Sequence, residues 1–156
     1  VENRPSSEYV LRQGSEADKR LSLLAEAKSE STWNFLSELD LAPGMRCLDI
    51  GCGNGTVTMM LAQATSPGGR VTGIKLDEGC LDSARSNAES AGLEVEYRRC
   101  AVEEIRGDGD CDFVFSGFLL THLQDPGAAL HTLRNTLKPG GVIATEDIQF
   151  SGNRPS

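Results

Sequence analysis

The chain has 156 residues, enough for one domain around a single core and too few for two. With 38% hydrophobic and 24% charged residues it is an ordinary globular candidate, and no apolar run approaches the roughly 20 residues that span a bilayer. A net charge of −8 without a basic stripe argues against a polyanion-binding surface, so neither nucleic acid nor membrane is expected as a partner.

The opening VENRPSSE is polar, unlike the apolar core of a signal peptide, and a first residue of Val1 rather than Met suggests a processed or trimmed chain. Residues 1–14 read as a flexible arm. Five cysteines (Cys47, Cys52, Cys80, Cys100 and Cys111) form no CxxC pair and no ligand cluster. That pattern fits reduced thiols in a cytoplasmic protein, with neither disulfide nor metal site expected.

From Ser15 to about residue 41, apolar residues recur at Ala17, Leu21, Leu24 and Ala25, then Phe35, Leu36 and Leu39. This spacing predicts amphipathic N-terminal helices, broken into two near Ser29–Thr32, with Ser15 as a cap. Trp33 and Phe35 read as core contacts rather than substrate stackers. Ala42-Pro43-Gly44 stops the helical region, and strands then alternate with helices over 45–150. RCLDIG (46–51) is the first strand, followed by a Gly-rich turn and the helical pattern Val57, Met60, Leu61, Ala64. RVTGI (70–74) is the second strand, and a helix from Glu78 to Ala91 ends at Gly92. LEVEYRR (93–99) and CDFVFSG (111–117) are the third and fourth strands. Asp125-Pro126 caps and starts a helix over 126–137, and Pro139-Gly140-Gly141 turns into a fifth strand, VIATEDI (142–148). Such alternation with short connections predicts right-handed crossovers and a doubly wound, parallel α/β sheet.

LDIGCGNGT (48–56) joins the first strand to its helix. Its glycines lack Cβ atoms where the backbone turns tightly and meets a ligand, at the carboxyl end of the sheet. Together with CDFVFSGFLLTHLQDP and LKPGG, this turn resembles the class I S-adenosylmethionine-dependent methyltransferases, specifically their small-molecule branch. The resemblance covers roughly residues 40 to 150. It implies a Rossmann-like sheet of order 3-2-1-4-5, S-adenosylmethionine as cofactor and methyl transfer to a small-molecule acceptor. Carried over by motif, Gly51, Cys52, Gly53 and Gly55 would lie beside the methionine part of the cofactor. Asp49 would orient the loop and help place the methionine amino group, while Ser116 and Gly117 would flank the methionine and ribose. The adenosine half would fall to Lys75, Leu76 and Asp77 after the second strand, and to Ala101 and Val102 after the third.

Two positions depart from the family. Lys75 stands where an acid usually accepts from both ribose hydroxyls, and an ammonium only donates. Asp77, two residues on, remains a candidate replacement. After the third strand, Cys100, Ala101 and Val102 occupy the place of an acid that accepts from the adenine amino group; Glu103 either reaches in or begins a helical turn. Losing such contacts costs roughly ten- to a hundredfold in affinity each, so weakened or absent cofactor binding is expected. A basic residue in this position also accommodates a 2′-phosphate in NADP-binding domains, but GCGNGT lacks the GxGxxG spacing of those domains.

No universal catalytic residue is required, because in-line approach to the sulfonium methyl supplies most of the rate. His122 reads either as a general base facing the acceptor or as a packing or capping loop residue, the latter being favoured. Glu146 and Asp147 either contact the acceptor or close a strand in solvent, and His131 reads as a helix-surface or packing residue. In the family a helix and strands six and seven follow the fifth strand, and FSGNRPS cannot form them. The expectation is a C-terminally truncated fold with an exposed sheet edge, open to homodimerisation. Two functions follow: an enzyme, or a degenerate methyltransferase fold acting as a binding or oligomeric module.

Overall fold

The computed structural model describes the backbone of residues 16–147 and the side chains of residues 27–147. The expected arm over 1–14 and the Ser15 cap lie outside them. Helix α1 (Glu16–Ser37) is continuous, not two helices broken near Ser29–Thr32. That segment contains neither Pro nor Gly. Thr32, 3% exposed, sends its hydroxyl across to Glu146 Oε2 at 2.6 Å, so it does not compete with the helical backbone.

The alternation then runs as expected. β1 (Arg46–Ile50) leads to α2 (Thr56–Ala64), β2 (Arg70–Lys75), α3 (Glu78–Ser90) and β3 (Glu96–Arg99). β4 (Cys111–Gly117), α4 (Pro126–Arg134) and β5 (Leu137–Glu146) complete the described chain. All strand pairs are parallel, in the order β3-β2-β1-β4-β5, which is the doubly wound topology read from the sequence. β5 is an edge, hydrogen-bonded to β4 alone among the described residues.

Local signals account for most boundaries. Asp77 and Asp125 cap α3 and α4 by accepting from the amides of Cys80 (2.8 Å) and Ala128 (2.9 Å). Gly92 takes a left-handed φ of 67° just past α3, as anticipated. Three boundaries differ from expectation. β3 starts at Glu96 rather than 93, because Leu93 and Val95 pack under α3 as a lead-in. α4 stops at Arg134, where Thr136 folds back to give the Leu133 carbonyl both its amide and its hydroxyl. LKPGG belongs to β5 instead of preceding it: Cys111 pairs with Leu137 and Phe113 with Val142, so the turn residues bulge out of a strand already paired.

Alternation along β1 divides the core. Cys47 faces α1 and α2 with Leu36, Met60, Leu61, Val71, Phe113 and Phe115. Leu48 and Ile50 face α4 with Ile74, Val114 and Leu133. A third cluster joins Cys52, Met59, Leu81, Ala84 and Tyr97 between α2, α3 and β3. Trp33 and Phe35 pack against the first of these, as core residues. The crossover from β3 to β4 carries only a single turn of 3-10 helix, Val102–Glu104. Among the described residues, β2 and β3 therefore carry no α-helix on their α4-side face, where that turn packs through Val102 against Ile74.

Candidate cofactor site

The carboxyl ends of β1 and β4 and the inner face of α1 enclose a cavity of about 290 Å³. Its walls come from Asp49 in β1, Gly51, Cys52 and Asn54 in the following turn, and Thr56 and Val57 in α2. Lys28, Ser29 and Thr32 of α1 close one side, and Phe115, Gly117 and Phe118 close the other.

The turn is held by its own polar groups. The amides of Gly51 and Cys52 both donate to the Ile74 carbonyl, at 2.8 and 3.0 Å, tying the loop to the end of β2. Asn54 accepts from the Thr56 hydroxyl at 2.8 Å, and Asn87 donates to the Asn54 carbonyl at 3.1 Å. Gly51, Gly53 and Gly55 all have positive φ. Gly55 is required twice over: its φ is +85°, and a Cβ there would sit 2.4 Å from the Tyr97 hydroxyl and 3.0 Å from the Ala84 methyl. Tyr97 thus wedges the loop from beneath. Its buried hydroxyl lies near Thr58 with no partner of ordinary hydrogen-bond geometry among the described residues, and burial pushes it up to about 12.

Asp49 is the charged floor of the cavity. It is 2% exposed, and Thr58 donates its hydroxyl to Oδ2 at 2.7 Å. Burial raises its carboxyl to about 6, with the Thr58 hydrogen bonds opposing part of that rise. Cys52 beside it is driven to about 12, first by burial and then by the charge of Asp49. Its thiol stays protonated at neutral pH, which excludes it as a nucleophile.

The residues expected on the adenosine side lie elsewhere. Lys75 ends β2 half-buried, Leu76 is 58% exposed and Asp77 is exposed, and none lines the cavity. The Asp77 carboxylate is engaged in capping α3, and that hydrogen bond holds it below the usual carboxylate range. The Ala101 amide donates to Glu104 at 3.0 Å, and Val102 is buried beneath α4, with Glu103 in the 3-10 turn between. Ser116 is fully buried and its hydroxyl has no partner among the described residues, while neighbouring Gly117 reaches the cavity wall. His122 is exposed in a turn of 3-10 helix, Leu120–His122, and does not line the cavity; His131 is exposed on α4. Glu146 accepts from Thr32, and Asp147 accepts from Thr121 at 3.3 Å.

Of the expected cofactor residues, the structure gathers Asp49, Gly51, Cys52 and Gly117 around one cavity and sets the others outside its lining. Asn54 and Thr56 also line it and stood inside the quoted motif. Lys28, Ser29 and Phe118 carried no local signal, since their approach depends on how α1 crosses the sheet. A larger groove of about 940 Å³ runs along β1 to β3, with Arg85, Ala88 and Glu89 of α3 at its edge. It is lined by residues of both signs that pair with one another, Arg98 with Glu96 and Arg46 with Asp110, as expected of a solvated sheet face. Among the described residues no cluster of His, Cys, Asp and Glu is arranged to hold a metal ion.

Comparison with known proteins identifies the family. A family profile described as a methyltransferase domain matches residues 47–141. The ubiquinone biosynthesis O-methyltransferase of Bordetella avium is 40% identical over 102 residues, 64% of this chain and 41% of that protein. An uncharacterised protein of a Streptomyces fradiae transposon is 39% identical over 110 residues, 70% of this chain and 32% of that protein. Among solved structures, an S-adenosylmethionine-dependent methyltransferase from Aquifex aeolicus superposes with a TM-score of 0.69 at 27% identity, over 81% of this chain and 69% of that one. The chain spans between a third and a half of the length of the curated relatives it matches. On the profile, the sheet order and these likenesses together, the chain belongs to the class I S-adenosylmethionine-dependent methyltransferases.

Proposed function

We propose that the protein transfers a methyl group from S-adenosylmethionine to a small-molecule nucleophile, and that this chain supplies the cofactor-binding half of the enzyme. The observation that carries this reading is the buried carboxylate of Asp49 at the floor of a cavity framed by the left-handed glycine turn. An ionised acid out of water calls for a cationic partner, and the cofactor's amino group is one. The volume, about 290 Å³, sits at the lower end of small-molecule pockets. It suits the methionine half; the adenosine would run outward past Lys75–Asp77 and Ala101–Val102. When bound, the cofactor supplies an electrophilic methyl on a sulfonium. The residues of this chain bind and orient: Asp49 holds the amino group, Gly51 and Gly53 let the backbone approach, and Phe115 and Gly117 form the wall from β4.

The name of the Bordetella avium relative favours an oxygen nucleophile as acceptor. No helix among the described residues is long and apolar enough to cross a membrane, and five unpaired thiols support a cytoplasmic setting. The β5 edge, with Val142 47% exposed, is where a second copy would add to the sheet.

A second reading, a degenerate fold with weak or no cofactor binding, has its own support. The ribose-side position holds Lys75, and Asp77 is committed to capping α3. Calorimetric titration with S-adenosylmethionine and S-adenosylhomocysteine separates the two. Micromolar binding supports the enzyme reading; no heat at millimolar ligand leaves only the degenerate one.

A further inference from the structure

Lys75 and Arg99 are register partners at the carboxyl ends of β2 and β3, the end of an open α/β sheet where ligands bind. Side chains paired across adjacent strands leave the same face of the sheet, so two positive charges stand side by side. The pairing is held just past the end of β3, where the Cys100 amide donates to the Lys75 carbonyl at 3.3 Å. Arg99 is oriented by its Nε, which donates to the Leu76 carbonyl at 3.0 Å and turns the guanidinium toward the loop that follows Lys75. Its terminal nitrogens and the Lys75 ammonium have no hydrogen-bond or ion-pair partner among the described residues. By contrast Arg98, one residue earlier, pairs with Glu96 at 2.8 Å. Two acids in the adjoining loops are already engaged: Asp77 accepts from the Cys80 amide at 2.8 Å, and Glu104 from the Ala101 amide at 3.0 Å. Like charges set directly across a strand pair cost stability unless something negative lies between them.

We propose that Lys75 and Arg99 together hold a free oxyanion of the phosphate type, and that this anion accepts from the ribose hydroxyls of the cofactor. Ammonium and guanidinium groups only donate. A ribose hydroxyl facing them can accept, but its own proton is left without an acceptor. An oxyanion between the two sides takes charge-assisted hydrogen bonds from both cations and offers its remaining oxygens to the diol. Neither S-adenosylmethionine nor S-adenosylhomocysteine carries a phosphate, so the anion is a separate ligand. The proposal rests on the cofactor reading above, in which the adenosine passes Lys75. It makes cofactor affinity conditional on a second, inorganic ligand, where a carboxylate at position 75 would make it unconditional.

The test titrates S-adenosylhomocysteine calorimetrically into the wild type, Lys75→Met, Arg99→Met and Lys75→Asp. Each is measured in chloride buffer and in phosphate buffer of the same pH and ionic strength, with circular dichroism confirming that every variant is folded. The wild type is expected to bind more tightly in phosphate by about fivefold or more, the lower end of ordinary coupling between two ligands. Lys75→Met and Arg99→Met lose that dependence. Lys75→Asp, whose own carboxylate accepts from the ribose, binds equally in both buffers. Wild-type affinity that is equal in the two buffers, or lower in phosphate, overturns the assignment while leaving the cofactor reading intact. A phosphate dependence that persists in both methionine variants overturns it too, as an effect of bulk salt. If the wild type binds in neither buffer, the cofactor reading itself falls and the assignment with it.

Discussion

Replacing Asp49 with asparagine keeps the shape of the side chain and its ability to accept from Thr58, and removes only its ionisation. The carboxyl is raised from 3.8 to about 6 by burial. A raised carboxyl means that the native state holds the proton more tightly than the unfolded chain does. Stability is therefore highest below the unfolded value and is lost as pH climbs from about 4 through 6. The shift of roughly two units corresponds to a penalty on the order of 3 kcal/mol once the group is fully ionised. The asparagine side chain carries no such penalty. In urea denaturation at intervals from pH 4 to 7.5, the Asp49→Asn variant should gain on the wild type by about 2–3 kcal/mol across that range. Any fixed difference between the two side chains cancels in this comparison. Ligand binding should respond with the opposite sign. A cationic amino group needs the ionised acid, so wild-type affinity for S-adenosylhomocysteine should fall below pH 6, by up to about tenfold per unit. The variant should bind weakly and with little dependence on pH between 5 and 7. A stability difference that is the same at every pH would refute the argument that Asp49 is a buried acid held against its own desolvation.

Gly55→Ala adds a methyl against the Tyr97 hydroxyl at a positive φ, and should lower stability in urea by about 2 kcal/mol or more. Tyr97→Phe removes that unpartnered hydroxyl, so it should be neutral or stabilising by up to about 1 kcal/mol and should recover part of the loss when combined with Gly55→Ala. Lys75→Asp restores an acceptor facing the ribose hydroxyls and should tighten S-adenosylhomocysteine about tenfold by calorimetry; unchanged affinity would mean another group already serves that role. Asp77→Ala deprives α3 of its cap and should lower the thermal midpoint, with a cost of about 1 kcal/mol in urea.

The elements whose signals are local were legible in the sequence. Pro and Gly punctuation, the Asp125-Pro126 start of α4 and the Gly92 stop after α3 each act within one turn of the chain. The continuous course of α1 was not, because the destination of the Thr32 hydroxyl is Glu146, 114 residues away. LKPGG looks like a turn in isolation, yet Leu137 already pairs with Cys111 across the sheet, so tertiary pairing carries the strand through a sequence that would otherwise break it. Within the site, Asp49 and Gly51 were readable because the motif lies at a strand end. Lys28 and Phe118 were not, since one depends on the rotation of a helix and the other on a backbone conformation that its residue type disfavours.

The two halves of the proposed cofactor site are built from different parts of the fold, and this decides how far a change in one bears on the other. The methionine half is made of core: Asp49 is buried beside Thr58, the glycine turn is tied to the Ile74 carbonyl, and Tyr97 supports Gly55 from within a hydrophobic cluster. A substitution there disturbs packing as well as binding, so folding itself constrains these residues. On the β2 side the adenosine half is strand end and loop surface, where Lys75 is half-buried, Leu76 and Asp77 are exposed, and the one hydrogen bond their side chains make among the described residues caps α3. That duty belongs to Asp77, not to Lys75. Lys75 makes no side-chain hydrogen bond or ion pair among the described residues, so the exchange of an acid for a lysine there says nothing against an intact fold. On the proposed cofactor reading its effect falls on ligand selection, and binding to Lys75→Asp, set beside the urea midpoint, separates a retuned site from a decaying one.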